Sequence, residues 1–341
     1  MYSFRNDYSE GAHPKILEAL ETTNLVQTCG YGTDPICQET ADLIRRLCSA
    51  PQADVHFLVG GTQTNQVVMA ALLAPYEAVI SSHAAHINTH ETGAIEATGH
   101  KVCDVFAPDG KLTPALVESV LAQHNGTEHM VLPRMVYISD TTEMGTVYTK
   151  AELTALRRCC DEHGLLLYLD GARLGSALTA PSNDLTLADV AALTDAFYIG
   201  GTKNGILFGE ALVLSQPHPH FRWHMKQRGA VLAKGRLLGV QFRALLKDGL
   251  FFDIARHANS QAQCLAEGLK ALGVPFATPP VSNQLFLILQ NDVIARLQEL
   301  GYEFEVDHTV DAAHTCIRLV TSWATPDAAV ADFLRDLKSL L

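Results

Sequence analysis

Two short, unbroken apolar runs, each followed by a turn of small and polar residues, constrain the fold of this chain more than any other feature. The first run, at 165–169, ends in Asp170-Gly171-Ala172-Arg173, and the second, at 196–199, precedes a glycine-rich turn that carries Lys203. Such runs are typical of strands that are covered on both faces inside a parallel sheet. The sequence therefore predicts an α/β fold with polar residues at the carboxyl ends of its strands.

The same pattern recurs along most of the chain. Predicted strands near 55–59, 78–81, 102–106, 134–139, 165–169, 195–199 and 206–214 alternate with helical patterns at 35–48, 66–73, 113–123 and 149–163. Right-handed crossovers make most of such a sheet parallel, so we predict a mostly parallel seven-stranded sheet flanked by helices. The segment 211–214 directly follows the turn after Lys203 and is the expected antiparallel exception.

The pattern changes after about residue 250. A long helical pattern at 253–272 precedes strands near 284–289 and 316–320 and a last helix at 326–341. This order predicts a smaller C-terminal α+β domain. We therefore expect an N-terminal segment at 1–14 that packs with the small domain, a large domain at 15–248 and the small domain at 249–341.

Charge and cysteine content narrow the class of function. The 341 residues carry a formal net charge of −12, which argues against nucleic acid or an anionic membrane surface as the partner. No apolar run approaches the roughly 20 residues needed to cross a bilayer, and the first residues do not form a signal peptide. The eight cysteines include no Cys-x-x-Cys pair, which indicates free thiols in a reducing compartment. We expect a cytoplasmic protein that acts on a small molecule.

Asp170 and Lys203 are the residue types that a pyridoxal 5′-phosphate (PLP) site requires. A carboxylate at the end of a strand can pair with the pyridinium nitrogen of PLP and keep it protonated. A lysine on a flexible turn can form a Schiff base with the cofactor aldehyde. Taken singly, the aspartate could cap the following helix and the lysine could be a solvated surface residue. Together they predict a PLP site.

A third motif supports the same cofactor. The predicted strand at 55–59 runs into Gly60-Gly61-Thr62-Gln63-Thr64-Asn65, which precedes a helical run. The free N–H groups at a helix N-terminus and the helix dipole both favour an anion. The turn is therefore a candidate phosphate site, although a glycine turn before a helix is also common without a ligand.

In order and spacing, these motifs resemble the threonine aldolase and β-eliminating lyase family of fold type I PLP enzymes. The resemblance covers nearly the whole chain and rests on segments 4–7, 31–35, 60–65, 84–86, 170–173, 203 and 317–321. It implies a fold type I architecture and a homodimer or homotetramer with shared active sites. It also implies that Lys203 is the Schiff-base lysine, that Asp170 is the partner of the pyridine nitrogen and that His86 stacks on the ring. Gly61 and Thr62 would bind the phosphate.

The resemblance also implies a substrate site. Arg318 would hold the substrate carboxylate, which suits a planar guanidinium. Arg173 would lie beside the 3′ oxygen of the cofactor and near the substrate. Asn6 stands where the family usually has a serine that touches substrate, and Tyr31 is a further predicted substrate contact.

The chain departs from the family at 138–145, where the usual Glu-Asn-Thr-His sequence is replaced. Thr142 takes the place of the histidine and is predicted to contact the cofactor. The base that removes the proton from the substrate hydroxyl is then Glu143, His86 or a bound water. The Lys203 segment also reads Thr-Lys-Asn-Gly where Ser-Lys-Gly is common in the family. These departures indicate that the chain resembles a divergent subgroup.

Three histidines offer an alternative interpretation. His83, His86 and His90 would share one face of a helix and could suggest a metal site. No acidic or cysteine ligand is spaced to complete a tetrahedral set, so we predict no metal.

A basic stretch at 221–236 stands out in an acidic chain. It is either a solvated helix face or a source of cofactor contacts, in which Arg228 or Lys234 reaches the phosphate across a subunit interface.

These observations predict a PLP-dependent aldolase that cleaves a β-hydroxy-α-amino acid to glycine and an aldehyde. The main alternative is a β-eliminating lyase that releases ammonia and a 2-oxo acid. A third alternative is a protein that binds PLP without catalysis, against which the retained Lys203, Asp170 and Arg318 argue.

Overall fold

A seven-stranded sheet forms the centre of the computed structural model, which describes residues 2–124 and 126–341. Its strands are β1 (Asp54–Leu58), β2 (Glu77–Ser82), β3 (Val102–Val105), β4 (Leu132–Ser139), β5 (Leu166–Asp170), β6 (Ala196–Gly200) and β7 (Glu210–Leu214). They lie in the order β1-β7-β6-β5-β4-β2-β3, and β7 runs antiparallel to both of its neighbours while the other pairs are parallel. The predicted mostly parallel sheet, with its antiparallel exception, is confirmed.

Helices cover this sheet and the smaller one. They are α1 (Pro14–Thr22), α2 (Pro35–Leu47), α3 (Gly61–Leu72), α4 (His86–Thr89), α5 (Pro114–Gln123), α6 (Lys150–His163), α7 (Leu174–Leu178), α8 (Leu187–Leu193), α9 (Phe221–Gln227), α10 (Arg236–Leu246), α11 (Leu250–Ala271), α12 (Asn291–Glu299) and α13 (Asp327–Leu340). Local signals set several of the starts. Asp34 accepts a hydrogen bond from the Cys37 N–H at the start of α2, and Thr149 and Glu152 form a capping box on α6.

Two predicted element starts differ from the structure. Helix α3 begins at Gly61, five residues before the predicted start, so the whole glycine turn leads directly into its first turn. Strand β7 begins at Glu210 instead of 206, because the segment before it folds back. The N–H groups of Gly201 and Thr202 donate to the carbonyl oxygen of Gly209 at 3.1 and 3.2 Å. As a result, the backbone at the start of α3 and the backbone after Lys203 both lie near the carboxyl ends of the central strands.

The C-terminal part contains a three-stranded antiparallel sheet. Its strands are β8 (Gln284–Gln290), β9 (Glu305–Thr309) and β10 (His314–Val320), in the order β8-β10-β9. Strand β9 was not predicted because all of its side chains are exposed and give no apolar alternation. Phe4 is fully buried in the core of this sheet, and its N–H donates to the Glu303 carbonyl at 2.8 Å. The boundaries near residues 14 and 248 stay a prediction.

The central sheet brings polar side chains together at the carboxyl ends of three strands. Tyr137, Tyr168 and Tyr198 are buried on β4, β5 and β6, three neighbouring parallel strands whose carboxyl ends meet. The hydroxyl group of a buried tyrosine usually has a hydrogen-bond partner. No helix within 2–124 or 126–341 is long and apolar enough to cross a membrane.

Candidate active site

A cavity of about 320 Å³ opens at the carboxyl ends of β4, β5 and β6. This is the edge at which open α/β sheets bind ligands, and the volume suits a small molecule. Its lining includes many of the residues predicted from sequence, namely Gly61, Thr62, His86, Glu143, Asp170, Arg173 and Lys203.

Two close backbone approaches bring the Asp170 and Lys203 turns together. A Cβ atom on Gly171 would lie 1.8 Å from the Tyr198 carbonyl oxygen, so no larger residue fits there. The Gly200 N–H then donates to the Gly171 carbonyl at 3.0 Å. The glycines after the two apolar runs therefore dock one turn against the other and place both functional side chains at one cavity.

The Asp170 carboxylate is held by four donors. Its Oδ2 accepts hydrogen bonds from the Tyr137 hydroxyl at 2.6 Å and from Asn65 Nδ2 at 3.3 Å. Its Oδ1 accepts from the Tyr198 hydroxyl at 2.5 Å and from the Ala172 N–H at 3.0 Å. Four donors fix the orientation of the carboxylate. The side chain is 5% exposed, at the cavity wall.

A hydrogen-bond chain links Asp170 to His86. Asn65 Nδ2 also donates to Glu91 Oε1 at 2.7 Å, and the same Glu91 oxygen lies 2.8 Å from His86 Nδ1. The Tyr168 hydroxyl donates to Asn65 Oδ1 at 2.8 Å, which fixes the amide. The ring of His86 is thereby oriented from one side while part of it stays exposed to the cavity.

Lys203 reaches the cavity beside an exposed aromatic ring. Its Nζ lies 5.9 Å from the centroid of the Tyr8 ring. Burial lowers the pKa of Lys203 below its ordinary value, and the charge of Arg173 lowers it further, while the carboxylate of Asp7 acts in the opposite direction. A lowered pKa increases the fraction of free amine, which is the nucleophilic form.

The N-terminus of α3 forms the far wall of the cavity. The Gly60 side of this helix has no side-chain cap, and no acceptor for the N–H groups of Gly61, Thr62 or Gln63 is found in the described part of the chain. A Cβ atom on Gly61 would lie 3.0 Å from the Tyr198 hydroxyl, so the backbone packs closely against β6. Unpaired N–H groups at a helix N-terminus suit a phosphate.

Arg173 is locked in place by a carboxylate that the sequence analysis did not assign. Its Nε and Nη2 donate to Oδ2 and Oδ1 of Asp7 at 2.7 and 3.0 Å, and Asn283 Nδ2 donates to Asp7 Oδ2 at 2.9 Å. Burial by itself would raise the pKa of Asp7, but the charges of Arg173 and Lys203 lower it below its ordinary value. The pair is therefore ionised, and it ties the N-terminal segment to the cavity.

Arg318 lies on β10, outside the cavity lining but within electrostatic reach of Arg173. Burial lowers the pKa of Arg318, and the like charge of Arg173 lowers it further. Its Nε is buried and has no hydrogen-bond partner among the described residues. A partly buried guanidinium with an unused buried donor suits an anionic ligand.

Glu143 faces the cavity from the turn after β4. Its Oε1 accepts hydrogen bonds from the Ser139 hydroxyl at 2.7 Å and from the His86 N–H at 2.9 Å. Burial raises the pKa of Glu143 above its ordinary value. The carboxyl therefore holds the backbone of His86 and can change its protonation at the cavity wall.

Thr142 and Asn6 use their side chains elsewhere. The hydroxyl of Thr142 is 2.7 Å from that of Thr146, and the neighbouring Thr141 lines the cavity in its place. This geometry does not support the predicted cofactor contact of Thr142. Asn6 Oδ1 accepts from the Tyr8 N–H at 3.0 Å, so Asn6 shapes the turn that presents Tyr8.

Tyr31 and Lys234 are exposed and lie outside the Lys203 cavity of the same chain. Tyr31 lines a separate cavity and has Lys226 Nζ 5.1 Å from its ring centroid. Arg228 is closer to the phosphate candidate, because Gln63 Nε2 donates to its carbonyl oxygen at 3.0 Å. The predicted substrate contact of Tyr31 and the predicted cofactor contact of Lys234 would both require a second subunit.

The structure separates His83 from the other two histidines. His83 lies before α4 and packs on Phe106 with ring centroids 4.6 Å apart, and its Nδ1 accepts from the Ala107 N–H. The rings of His86 and His90 are stacked with their centroids 5.5 Å apart, and His90 Nδ1 also lies 2.6 Å from the Thr89 hydroxyl. The two groups of three possible metal ligands among the described residues lie elsewhere, at Glu118, Cys159 and His163 and at Asp307, His308 and Cys316.

Besides Asp7, the structure adds four residues that the sequence analysis did not assign: Tyr8, Asn65, Glu91 and Glu210. Asn65 stood in the glycine-turn motif, where only the backbone was considered. Glu210 had a local signal, because it is a lone charge at the start of the apolar run 211–214. Tertiary packing brings Tyr8 to the cavity and Glu91 to His86, and neither residue has such a signal.

Comparisons with known proteins agree with this geometry. The family model described as "Beta-eliminating lyase" matches residues 4–327. A low specificity L-threonine aldolase from a Pseudomonas species is 32% identical over 99% of this chain and 97% of its own. The solved structure of Leishmania major threonine aldolase is 52% identical, covers 100% of this chain and 99% of its own, and has a TM-score of 0.97. An aspartate aminotransferase from Thermus thermophilus, 18% identical with a TM-score of 0.72 over 99% of this chain and 91% of its own, shares the fold.

Proposed function

The chain belongs to the beta-eliminating lyase family, and we propose that it is a PLP-dependent aldolase that cleaves threonine-type β-hydroxy-α-amino acids to glycine and an aldehyde. One observation carries the proposal. Lys203, Asp170 and the unpaired N-terminus of α3 meet in one cavity, in a chain similar over its whole length to threonine aldolases. This is the donor set that the aldehyde, the pyridine nitrogen and the phosphate of PLP require.

PLP, when bound, supplies an electron sink for the bond that breaks at the substrate Cα. The residues of this chain hold and orient it. Lys203 Nζ would bind the aldehyde carbon, Asp170 would hold the proton on the ring nitrogen, and His86 would pack on the ring face. The N–H groups of Gly61 and Thr62 would bind the phosphate.

The substrate carboxylate would be bound by Arg318, with Arg173 beside it. Arg173 is already paired with Asp7, so it contributes a fixed positive charge. Among the described residues, Arg318 forms no ion pair and its buried Nε has no hydrogen-bond partner, so Arg318 is the better carboxylate ligand of the two.

Replacing Arg318 with alanine should raise KM for the amino acid by about 10- to 100-fold, the cost of losing a charge-assisted hydrogen bond. Steady-state kinetics on the PLP-loaded protein measure this. Arg318→Lys keeps the charge but loses the planar donor pair, so it should recover only part of the affinity. An unchanged KM in the alanine variant would remove Arg318 from the substrate site.

Glu143, His86 and a bound water are the candidate bases for the substrate hydroxyl. The geometry supports Glu143, because its carboxyl lies at the cavity wall where the family histidine is absent. The raised pKa of Glu143 determines the direction in which the rate changes with pH. A carboxylate base acts only when ionised, so the rate should fall as the pH drops through the raised pKa of Glu143.

Glu143→Gln should lower kcat by about 10²- to 10⁴-fold and should abolish that acidic limb of the pH profile. The kcat of wild type and variant is measured across the pH range at saturating substrate. A variant that keeps both the rate and the acidic limb would assign the base to His86 or to water.

Product analysis tests the function itself. The PLP-loaded protein is incubated with L-threonine, L-allo-threonine and phenylserine, and glycine plus aldehyde is assayed against ammonia plus 2-oxo acid. Glycine and aldehyde support the aldolase. Ammonia and oxo acid would make the protein a β-eliminating lyase, which also uses Lys203, and an absence of turnover would favour a PLP-binding protein without catalysis.

We also propose a homodimer or homotetramer with shared sites in the cytoplasm. The exposed side chains of Tyr31 and Trp223 form an aromatic surface beside Arg222 and Lys226, which supports a subunit interface. Sedimentation velocity tests the assembly, and a monomer would contradict it. All eight cysteines are unpaired, which supports a reducing compartment.

A further inference from the structure

Glu210 is a buried carboxyl group beside the turn that carries Lys203. It is the first residue of β7, where the sheet register pairs it with Gly200 on β6 and with Leu58 on β1. Strand β6 leads to Lys203, and β1 leads to the glycine turn of α3. Glu210 is 3% exposed and lines the cavity between the lysine and the phosphate candidate.

Both oxygens of Glu210 hold the lysine turn. Oε2 accepts from the Gly201 N–H at 3.1 Å, and Oε1 accepts from the Thr202 hydroxyl at 2.9 Å. The Gly209 N–H donates to the same hydroxyl at 3.0 Å, which closes the turn. Within the described part of the chain Glu210 forms no ion pair, so its charge is compensated only by these dipoles and by cations farther away.

The electrostatic neighbours of Glu210 come from three elements. Burial raises the pKa of Glu210 to about 8, the charge of Lys203 opposes this shift, and that of Asp170 adds to it. Tyr168 and Tyr198 are neutral, because burial raises their pKa values well above the ordinary range. Since burial also lowers the pKa of Lys203, the two titrations are drawn toward each other.

We propose that Glu210 is a positioning residue for the reaction: it holds the turn before Lys203 and places a titratable carboxyl whose charge governs the protonation of the lysine amine. When Lys203 and Glu210 hold one proton between them, two forms exist. In one form the amine is protonated and Glu210 is ionised, and in the other Glu210 is protonated and Lys203 is the free amine. This deepens the proposed function, because it rests on Lys203 as the PLP lysine.

The test measures the protonation of Lys203 directly. The full-length protein, freed of PLP and checked for folding by circular dichroism, is labelled with limiting acetic anhydride across a pH series. Mass spectrometry then gives the extent of labelling at Lys203. Wild type should titrate over a broader pH range than a single proton, because Glu210 ionises in the same range.

Glu210→Gln should lower the midpoint of the Lys203 labelling curve by about one pH unit, because removing an anion destabilises the nearby ammonium. The curve should also narrow to the width expected for the titration of one group, because no coupled carboxyl remains. A purely structural role predicts the opposite direction, since a loosened turn exposes Lys203 and raises its pKa toward the ordinary value. An unchanged or raised midpoint overturns the proposal.

Glu143→Gln is the matched control, since it removes a carboxyl from the same cavity, and it should leave the Lys203 midpoint unchanged. An equal shift in that variant would show a general field effect and would also overturn the proposal. Glu210→Asp keeps the charge and should move the midpoint back toward wild type. If Glu210→Gln does not fold, the width of the wild-type labelling curve tests the proposal. A curve as narrow as that of one independently titrating group would overturn the coupling of Lys203 with Glu210.

This test and the proposed function can fail separately. Labelling reports on the amine whether or not the protein cleaves any amino acid. A chain with the predicted coupling but no glycine among its products would keep the inference and lose the aldolase. In the PLP-loaded protein, the pH midpoint of the visible absorbance should move in the same direction in Glu210→Gln.

Discussion

Replacing Lys203 with alanine is expected to lower cleavage of threonine-type substrates by about 10⁴-fold or more, because the variant loses the amine that we propose to bond covalently to PLP. Lys203 lies at the cavity that also holds Asp170, and its pKa is already lowered toward the nucleophilic form. Initial rates of glycine formation measure the loss. Borohydride reduction followed by mass spectrometry should find the cofactor on the peptide that contains residue 203 in wild type alone.

Lys338→Ala is the matched control for this substitution. Lys338 is exposed in the last turn of α13, where it takes no part in the cavity. Its loss should leave the rate and the reducible adduct unchanged. A borohydride-stable adduct on a different lysine in the Lys203→Ala protein, with retained activity, would show that the cofactor lysine has been assigned to the wrong residue.

The sequence predicts the central sheet well because buried parallel strands have a clear sequence pattern. A strand buried on both faces is a continuous apolar run, and the runs at 165–169 and 196–199 became β5 and β6. The residues that immediately follow such runs then lie at one edge. Asp170 and Lys203 are therefore predictable as cavity residues without any knowledge of how helices pack.

Other parts of the site depend on contacts that no local pattern encodes. Asp7 pairs with Arg173 across 166 positions of sequence, and Glu91 reaches Asn65 and His86 through the packing of α3 against the segment after α4. The exposed strand β9 has no period of two in its apolar residues. These features are set by tertiary burial, which the order of residues along one segment does not reveal.

Thr142 shows how a correct alignment of segments can still misplace a side chain. The resemblance places it at the position of the family histidine, but Thr142 is 1% exposed and its hydroxyl bonds to Thr146. The adjacent Thr141 and Glu143 face the cavity instead. A tight turn alternates the direction of its side chains, so a match of sequence position does not fix which of three neighbours reaches the substrate.

Asp170→Asn should lower kcat/KM by about 10²- to 10³-fold, the cost of removing one preorganised charge from a buried catalytic site. The asparagine keeps the size of the side chain but carries no charge to hold the proton on the ring nitrogen of PLP. It also presents an NH₂ group to the hydroxyl of Tyr137 or Tyr198, both of which now donate to Asp170. Steady-state kinetics with saturating PLP measure the effect.

Tyr137→Phe separates the charge of Asp170 from its hydrogen-bond network. This variant removes one donor to Oδ2 at 2.6 Å but leaves the carboxylate and the Asn65 and Tyr198 donors in place. If the charge matters most, its loss of kcat/KM should be about tenfold, at the lower end of the range for one hydrogen bond to a charged group, because the other donors to Asp170 remain. Equal losses in the two variants would mean that Asp170 acts by orientation alone, and an unimpaired Asp170→Asn protein would exclude it as the partner of the ring nitrogen.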